Sequence, residues 1–245
     1  MNYIIGTGWW ADHTRQHAGS LQNTSSDLTR DRKFFDLWYY HINKYSNPSK
    51  IIVTDSCSPI KPDLTNKKVE FVSLLKNFKP ARICEGMISG WTRSVLNGAF
   101  YSIMNDADYY IYIEQDCLIF GKDIIEKAIE NLGDSHFSFG YFNHSLKIEQ
   151  SFIVIKKEAV LTFINLYLSI SKPDSELRPE HKFDLIIKSN NLLFKELPFG
   201  YGRNRPFNVN DLHFYIQHIT NEELNLLTKK ENTEDIIFDK IKEKF

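Results

Sequence analysis

The run Tyr109-Tyr110-Ile111-Tyr112-Ile113 passes without a break into Glu114-Gln115-Asp116, and Leu118-Ile119-Phe120-Gly121 turns apolar again at once. Five consecutive aromatic and β-branched residues predict a strand buried on both faces. Such a strand needs cover above and below, which calls for helices packed on both sides of a sheet. Other segments supply both kinds of element. Tyr3-Ile4-Ile5, Ile51-Ile52-Val53, Val69 to Leu74, Phe137 to Tyr141, Ser151 to Ile155, Leu193 to Leu197 and Phe214 to Ile219 read as strands. Asp31 to Tyr45, Thr92 to Asn105, Ile124 to Leu132, Glu158 to Ser169 and Pro179 to Ser189 carry apolar residues near helical spacing. Thr92 is the expected N-cap of the second helix, and Pro179 suits the first turn of the fifth. Asp12 to Thr29 is polar and irregular. The expectation is an α/β chain with a mostly parallel sheet.

Ligands on such sheets bind beyond the carboxyl ends of the strands. Those ends carry Gly6-Thr7-Gly8, Asp55-Ser56 and Glu114-Gln115-Asp116. Two carboxylates at i and i+2 of an extended segment point to one side. Held that close they repel unless a cation or a proton lies between them. A hard divalent ion such as Mg²⁺ or Mn²⁺ prefers oxygen ligands and bridges carboxylate to phosphate. A solvated turn, or a cap for the helix after Gly121, is the plainer reading of the same pair.

Further candidates are basic. Arg93, on the first turn of a helix, could reach a diphosphate, or lie on the surface over Trp91. The segment Phe199-Gly200-Tyr201-Gly202-Arg203-Asn204-Arg205-Pro206 joins glycines to two arginines, which suits a lid over a phosphate group or a surface turn. His213 and His218 differ by five, so in a strand they face opposite ways and at most one can join a given site. One of Trp9 and Trp10 is expected in the core.

The run from Asn97-Gly98-Ala99 through Asp108 to Asp116 resembles the central signature of the GT-A-type glycosyltransferases, within the nucleotide-diphospho-sugar transferase superfamily. There a helix with an N-x-G-like element precedes a hydrophobic strand and a D-x-D motif. Ile51 to Ser56 is similar to the family's second strand, which ends in an acid and a serine. Here the first acid is Glu, and Asn97 is followed directly by Gly98. The resemblance covers about the first half of the chain. It implies a GT-A-like, Rossmann-like sheet flanked by helices in one domain over 1–245. Residues 1–120 would bind the nucleotide sugar. Residues 121–245 would bind the acceptor and end in a helical tail. The implied activity is transfer of a sugar from a nucleotide-sugar donor, a UDP-sugar first, to a hydroxyl of a glycan or surface polysaccharide. Mn²⁺ or Mg²⁺ would assist. Asp116 would hold the metal and diphosphate, with Glu114 near the ribose or the metal, and His218 as a further metal ligand. Asp55 would lie near the nucleobase, and Thr7, Gly8 and Trp9 near the base or ribose. In an inverting enzyme Glu180 would be the base, with Asp184 the competing choice. A sugar-phosphate nucleotidyltransferase, and a non-catalytic nucleotide- or carbohydrate-binding module, are the alternatives.

Composition narrows the partners. The 245 residues carry a formal net charge of -1, with Lys plus Arg at 30 against Asp plus Glu at 31. That balance argues against coating nucleic acid. Cys57, Cys84 and Cys117 are odd in number and lack C-x-x-C spacing, so a reducing, cytoplasmic setting is expected rather than disulfides or structural zinc. No signal peptide or membrane-spanning run is visible, and Asn23-Thr24-Ser25 and Asn143-His144-Ser145 are read as chance sequons. The mixed-charge segment Asn221 to Phe245 has an apolar stripe. Its simplest use is packing on the domain, with peripheral membrane contact as the alternative.

Overall fold

A computed structural model describes residues 1–12, 28–141, 148–190 and 192–231. Most of the polar stretch after Asp12, His144 and the end of the C-terminal tail therefore lie outside the described residues. In chain order the elements are β1 (Tyr3–Trp9), α1 (Arg32–Tyr45), β2 (Lys50–Asp55), β3 (Glu70–Ser73), α2 (Gly90–Met104), β4 (Tyr109–Ile113), β5 (Cys117–Phe120), α3 (Ile124–Leu132), β6 (Phe137–Tyr141), β7 (Ile148–Lys156), α4 (Lys157–Ser169), α5 (Pro179–Ser189), β8 (Phe194–Glu196), β9 (Tyr201–Gly202), β10 (Phe214–Gln217) and α6 (Asn221–Glu231).

Among the described residues, seven strands form one sheet in the order β3-β2-β1-β4-β7-β6-β8. β1 lies parallel between β2 and β4, with Trp9 opposite Asp55 and Gly6 opposite Tyr112. β3 extends the parallel half. β7 runs against both β4 and β6, and β8 pairs parallel with β6. The sheet is thus mostly parallel with one reversed strand. A second sheet, β5-β10-β9, was not foreseen. Leu118 to Phe120 does not prolong β4. The amide of Cys117 bonds back to the carbonyl of Glu114, and the chain turns out of the large sheet to pair antiparallel with β10.

Two cores follow from the two faces. α1 and α3 pack with the second sheet against Ile5, Val53, Ile111, Ile113 and Phe152. α2, α4 and α5 cover Tyr110, Tyr112, Ile153 and Ile155. Asp31 caps α1, its side chain accepting from the Lys33 amide, and Phe34, Phe35, Leu37, Trp38 and Ile42 form its buried stripe. α2 starts two residues before the expected Thr92. Ser89 is the N-cap, and the Thr92 hydroxyl instead donates to Asp174 at 2.5 Å. Gly98 is fixed by its neighbours: a Cβ there would meet the Tyr110 hydroxyl at 2.3 Å, and one on Gly6 would meet it at 2.4 Å. These two glycines let the Tyr110 ring lie between α2 and β1. No helix among the described residues is long and apolar enough to cross a membrane.

Candidate active site

Asp116 and Glu114 leave the carboxyl end of β4 at the turn into β5. They are not neighbours on one extended face, yet their side chains converge on Gln217 at the end of β10. The Gln217 Nε2 donates to Asp116 Oδ1 at 3.0 Å and to Glu114 Oε2. Trp91 Nε1 donates to the other Glu114 oxygen at 2.6 Å. Gln115, between the acids, clamps the end of β1: its Oε1 accepts from the Trp10 amide at 2.7 Å, and its Nε2 donates to the Trp10 carbonyl at 3.3 Å.

His218 follows in the left-handed region, with φ at 56°. This bend puts its Nε2 at 3.7 Å from Asp116 Oδ2. His213 bonds the Lys122 carbonyl instead, on the other side of the strand. Arg203 donates from Nε to Gln217 Oε1 at 2.7 Å. Its charge acts on Glu114, Glu149, Asp116 and Glu180 together.

Burial and the neighbouring Asp116 push the Glu114 carboxyl well up, against Arg203 and the Trp91 hydrogen bond. Burial would also raise Asp116, but His218, Gln217, Arg30 and Arg203 outweigh it and hold this carboxyl below the usual range. His218 is drawn up by Asp116, yet burial and the charges of Arg203, Arg30 and Arg205 leave it lowered.

Among the described residues no three His, Cys, Asp or Glu side chains form a ready metal cluster. Glu114, expected beside Asp116 and His218 in a metal set, has both oxygens engaged and stands apart. Two donors remain, Asp116 Oδ2 and His218 Nε2. Atoms bound to one ion at about 2.1 Å can be at most about 4.2 Å apart, so their 3.7 Å separation fits a shared cation. A Mg²⁺-like or Mn²⁺-like ion takes its remaining ligands from water and phosphate.

Other expected site residues sit differently. β1 runs to Trp9, so Thr7 and Gly8 are inside the strand rather than beyond it. Thr7 is buried, and a Cβ on Gly8 would meet Ser94 Oγ at 2.8 Å. Trp9 is the core member of its pair, edge-on to Phe35 and bonded through Nε1 to the Ile60 carbonyl. Its ring is therefore turned from any ligand. Arg30 stacks over the Trp10 ring. Asp55 is fully buried and accepts from the Ser58 amide at 2.9 Å, Ser73 Oγ at 2.6 Å and Lys61 Nζ. Burial would raise it, but these partners hold it low.

Arg93 lies 3.6 Å over the Phe78 ring. Arg205 is committed to structure: it grips Glu223 and the carbonyls of Gly202, Asn204 and Gln217. Of the two candidate bases, Asp184 pairs with Lys188 at 2.6 Å along the outside of α5. Glu180, one turn earlier, acts electrostatically on Arg203, and its Oε2 is buried without a hydrogen-bond partner among the described residues. α5 is anchored by Lys182. Its Nζ meets Asp174 at 2.7 Å with both side chains fully buried, and Asp174 also accepts from the Ser89 amide and Thr92 Oγ1.

Two members of this cluster had no sequence assignment. Gln217 is polar at the end of the apolar run Phe214-Tyr215-Ile216. Glu149 is an acid at the mouth of β7, buried and bonded to the Ser151 amide and hydroxyl at 3.1 and 2.6 Å. A polar residue bordering an apolar strand beside a candidate ligand was the available signal in each case.

The sequence matches no protein-family model and no curated protein. Solved structures do share the architecture. The mannosyltransferase PcManGT from Pyrobaculum calidifontis, solved with GDP-Man and Mn²⁺, is 9% identical, with a TM-score of 0.52 over 94% of this chain and 60% of that one. A candidate nucleotide-diphospho-sugar transferase from Desulfovibrio desulfuricans G20 is 10% identical, with a TM-score of 0.50 over 96% of this chain and 90% of that one. A cytidylyltransferase from Leptospira borgpetersenii is 11% identical, with a TM-score of 0.47 over 93% of this chain and 84% of that one. At these identities the likeness to the first two speaks for fold alone, and that fold is GT-A-like.

Proposed function

We propose that the chain is a glycosyltransferase that moves a sugar from a nucleotide-sugar donor to an acceptor hydroxyl, with Mn²⁺ or Mg²⁺ as the cation. The observation that carries this reading is the Asp116–His218 pair at the strand end, beside Arg203. Asp116 Oδ2 and His218 Nε2 would hold the ion. When bound, the ion supplies Lewis-acid charge against the departing diphosphate. Arg203 adds fixed positive charge at the same place. Trp91 and Gln217 hold Glu114 beside the donor's ribose or sugar. If the reaction inverts the anomeric centre, Glu180 takes the proton from the acceptor hydroxyl, while Asp184 is tied to Lys188. If it retains configuration, no base is needed there.

Residues 1–120 are read as the donor half and 121–245 as the acceptor half of one domain. A UDP-sugar is the first donor to test and a glycan or surface polysaccharide the first acceptor class. The setting is cytoplasmic.

The test is incubation with UDP-, GDP- and CMP-sugars and Mn²⁺. Release of nucleotide that depends on metal and is lost in Asp116→Asn supports transfer. Pyrophosphate exchange with a nucleoside triphosphate and a sugar phosphate would replace this reading with a nucleotidyltransferase. Ligand binding with neither reaction would replace it with a binding module.

A further inference from the structure

Gln217 is fully buried, opposite Cys117 in the β10–β5 pairing, so its side chain meets the acidic turn from the second sheet. Its one amide group serves three charged partners. The Nε2 end donates to Glu114 Oε2 and Asp116 Oδ1, and the Oε1 end accepts from Arg203 Nε. The reverse orientation would set the carbonyl against two carboxylates and the NH₂ group against a guanidinium, repulsive at both ends. Arg203 therefore fixes which way the amide points. With Trp91 on Oε1, both Glu114 oxygens are occupied. Asp116 keeps Oδ2, the atom that faces His218.

From this we infer that Gln217 is a positioning residue that sorts the two acids, withholding Glu114 from the cation and presenting Asp116 Oδ2 with His218 as the protein's donors. The inference rests on the cation reading proposed above. It adds a consequence for the ion. A site with two carboxylates suits Mg²⁺, whereas exchanging one carboxylate for an imidazole nitrogen lowers the preference for Mg²⁺ relative to first-row transition ions. The donated hydrogen bonds also relieve repulsion between the acids when no ion is present.

The experiment is Mn²⁺ titration of the full chain, followed by the electron paramagnetic resonance signal of free Mn²⁺. It compares wild type, Glu114→Gln, Gln217→Leu and the double variant. With Gln217 present, Glu114→Gln removes a nearby charge but no ligand, and weakens Mn²⁺ binding by less than about 10-fold. With Gln217→Leu, Glu114 is released to the ion, and its further change to Gln weakens binding by about 10-fold or more. Gln217→Glu serves as a second background. It keeps the volume and an acceptor for Arg203 but removes the donor, and the same coupling to Glu114 is expected. A loss of about 10-fold or more for Glu114→Gln in the wild-type background would overturn the inference, as would equal effects of Glu114→Gln in all backgrounds. Absence of Mn²⁺ uptake by the wild type, or uptake indifferent to Asp116→Asn, would overturn the cation reading itself. Those results are separate from a ligating Glu114.

Discussion

Two kinds of buried carboxylate sit at the same edge of the large sheet. Asp55 at the end of β2 and Asp174 beneath the start of α2 are closed: each has a lysine and several hydrogen-bond donors of its own. Asp116 after β4 is open: it accepts one bond from Gln217 and leaves Oδ2 toward a histidine 3.7 Å away. All three titrate low. A depressed carboxyl therefore does not by itself mark a site. Among the described residues, the difference lies in whether both carboxylate oxygens are held by donors of the protein's own. A closed acid serves stability, and an open one has capacity left for a ligand.

The sharpest way to break this contrast is the buried Lys182–Asp174 pair. Lys182→Met leaves a buried charge without its partner and should cost about 3–5 kcal/mol of stability, read by urea denaturation. A cost under about 1 kcal/mol would remove Asp174 from the closed class. Next, Asp116→Asn should cut metal-dependent turnover by about 100-fold or more. Asp55→Asn should do the opposite. Stability falls by about 1–3 kcal/mol through mismatched buried partners, with Mn²⁺ affinity unchanged.

The smallest effect is in the pH profile. Asp55 and Asp174 have folded pKa values below the unfolded value of about 3.9, so their stabilisation is complete above that pH and is lost as pH falls through the folded values. Glu114 and Glu149 are raised, so the folded state binds their protons first and gains stability as pH falls toward their unfolded value of about 4.3. Glu114 and Glu149 should therefore add stability on mild acidification, against a loss from His218, whose lowered pKa works the other way, and stability should fall below about pH 4. Glu114→Gln with Glu149→Gln should flatten the rise, and Asp55→Asn should blunt the fall.

The same contrast explains what the sequence could disclose. β4, α3, β6 and α5 begin and end where periodicity puts them, because their signals are local. The turn at Gln115-Asp116 was invisible, since an apolar run after two acids reads the same whether it extends β4 or departs into a second sheet. Asp116, His218, Arg203 and Glu180 were legible as residue types near strand or helix ends. The sequence put Glu180 ahead of Asp184, but what occupies the competitors appears only in the fold: Lys61 for Asp55, Lys188 for Asp184 and Glu223 for Arg205. Gln217 and Glu149 gain their roles only through tertiary contact.

The central claim is that Asp116 and His218 hold a cation against a nucleotide diphosphate. Calorimetric titration of UDP and GDP into the wild type and Asp116→Asn, each with and without Mn²⁺, tests it most directly. At least one nucleotide should bind the wild type only when Mn²⁺ is present, and Asp116→Asn should abolish the metal-dependent part. Equal binding with and without Mn²⁺, or an unchanged isotherm in Asp116→Asn, would contradict it.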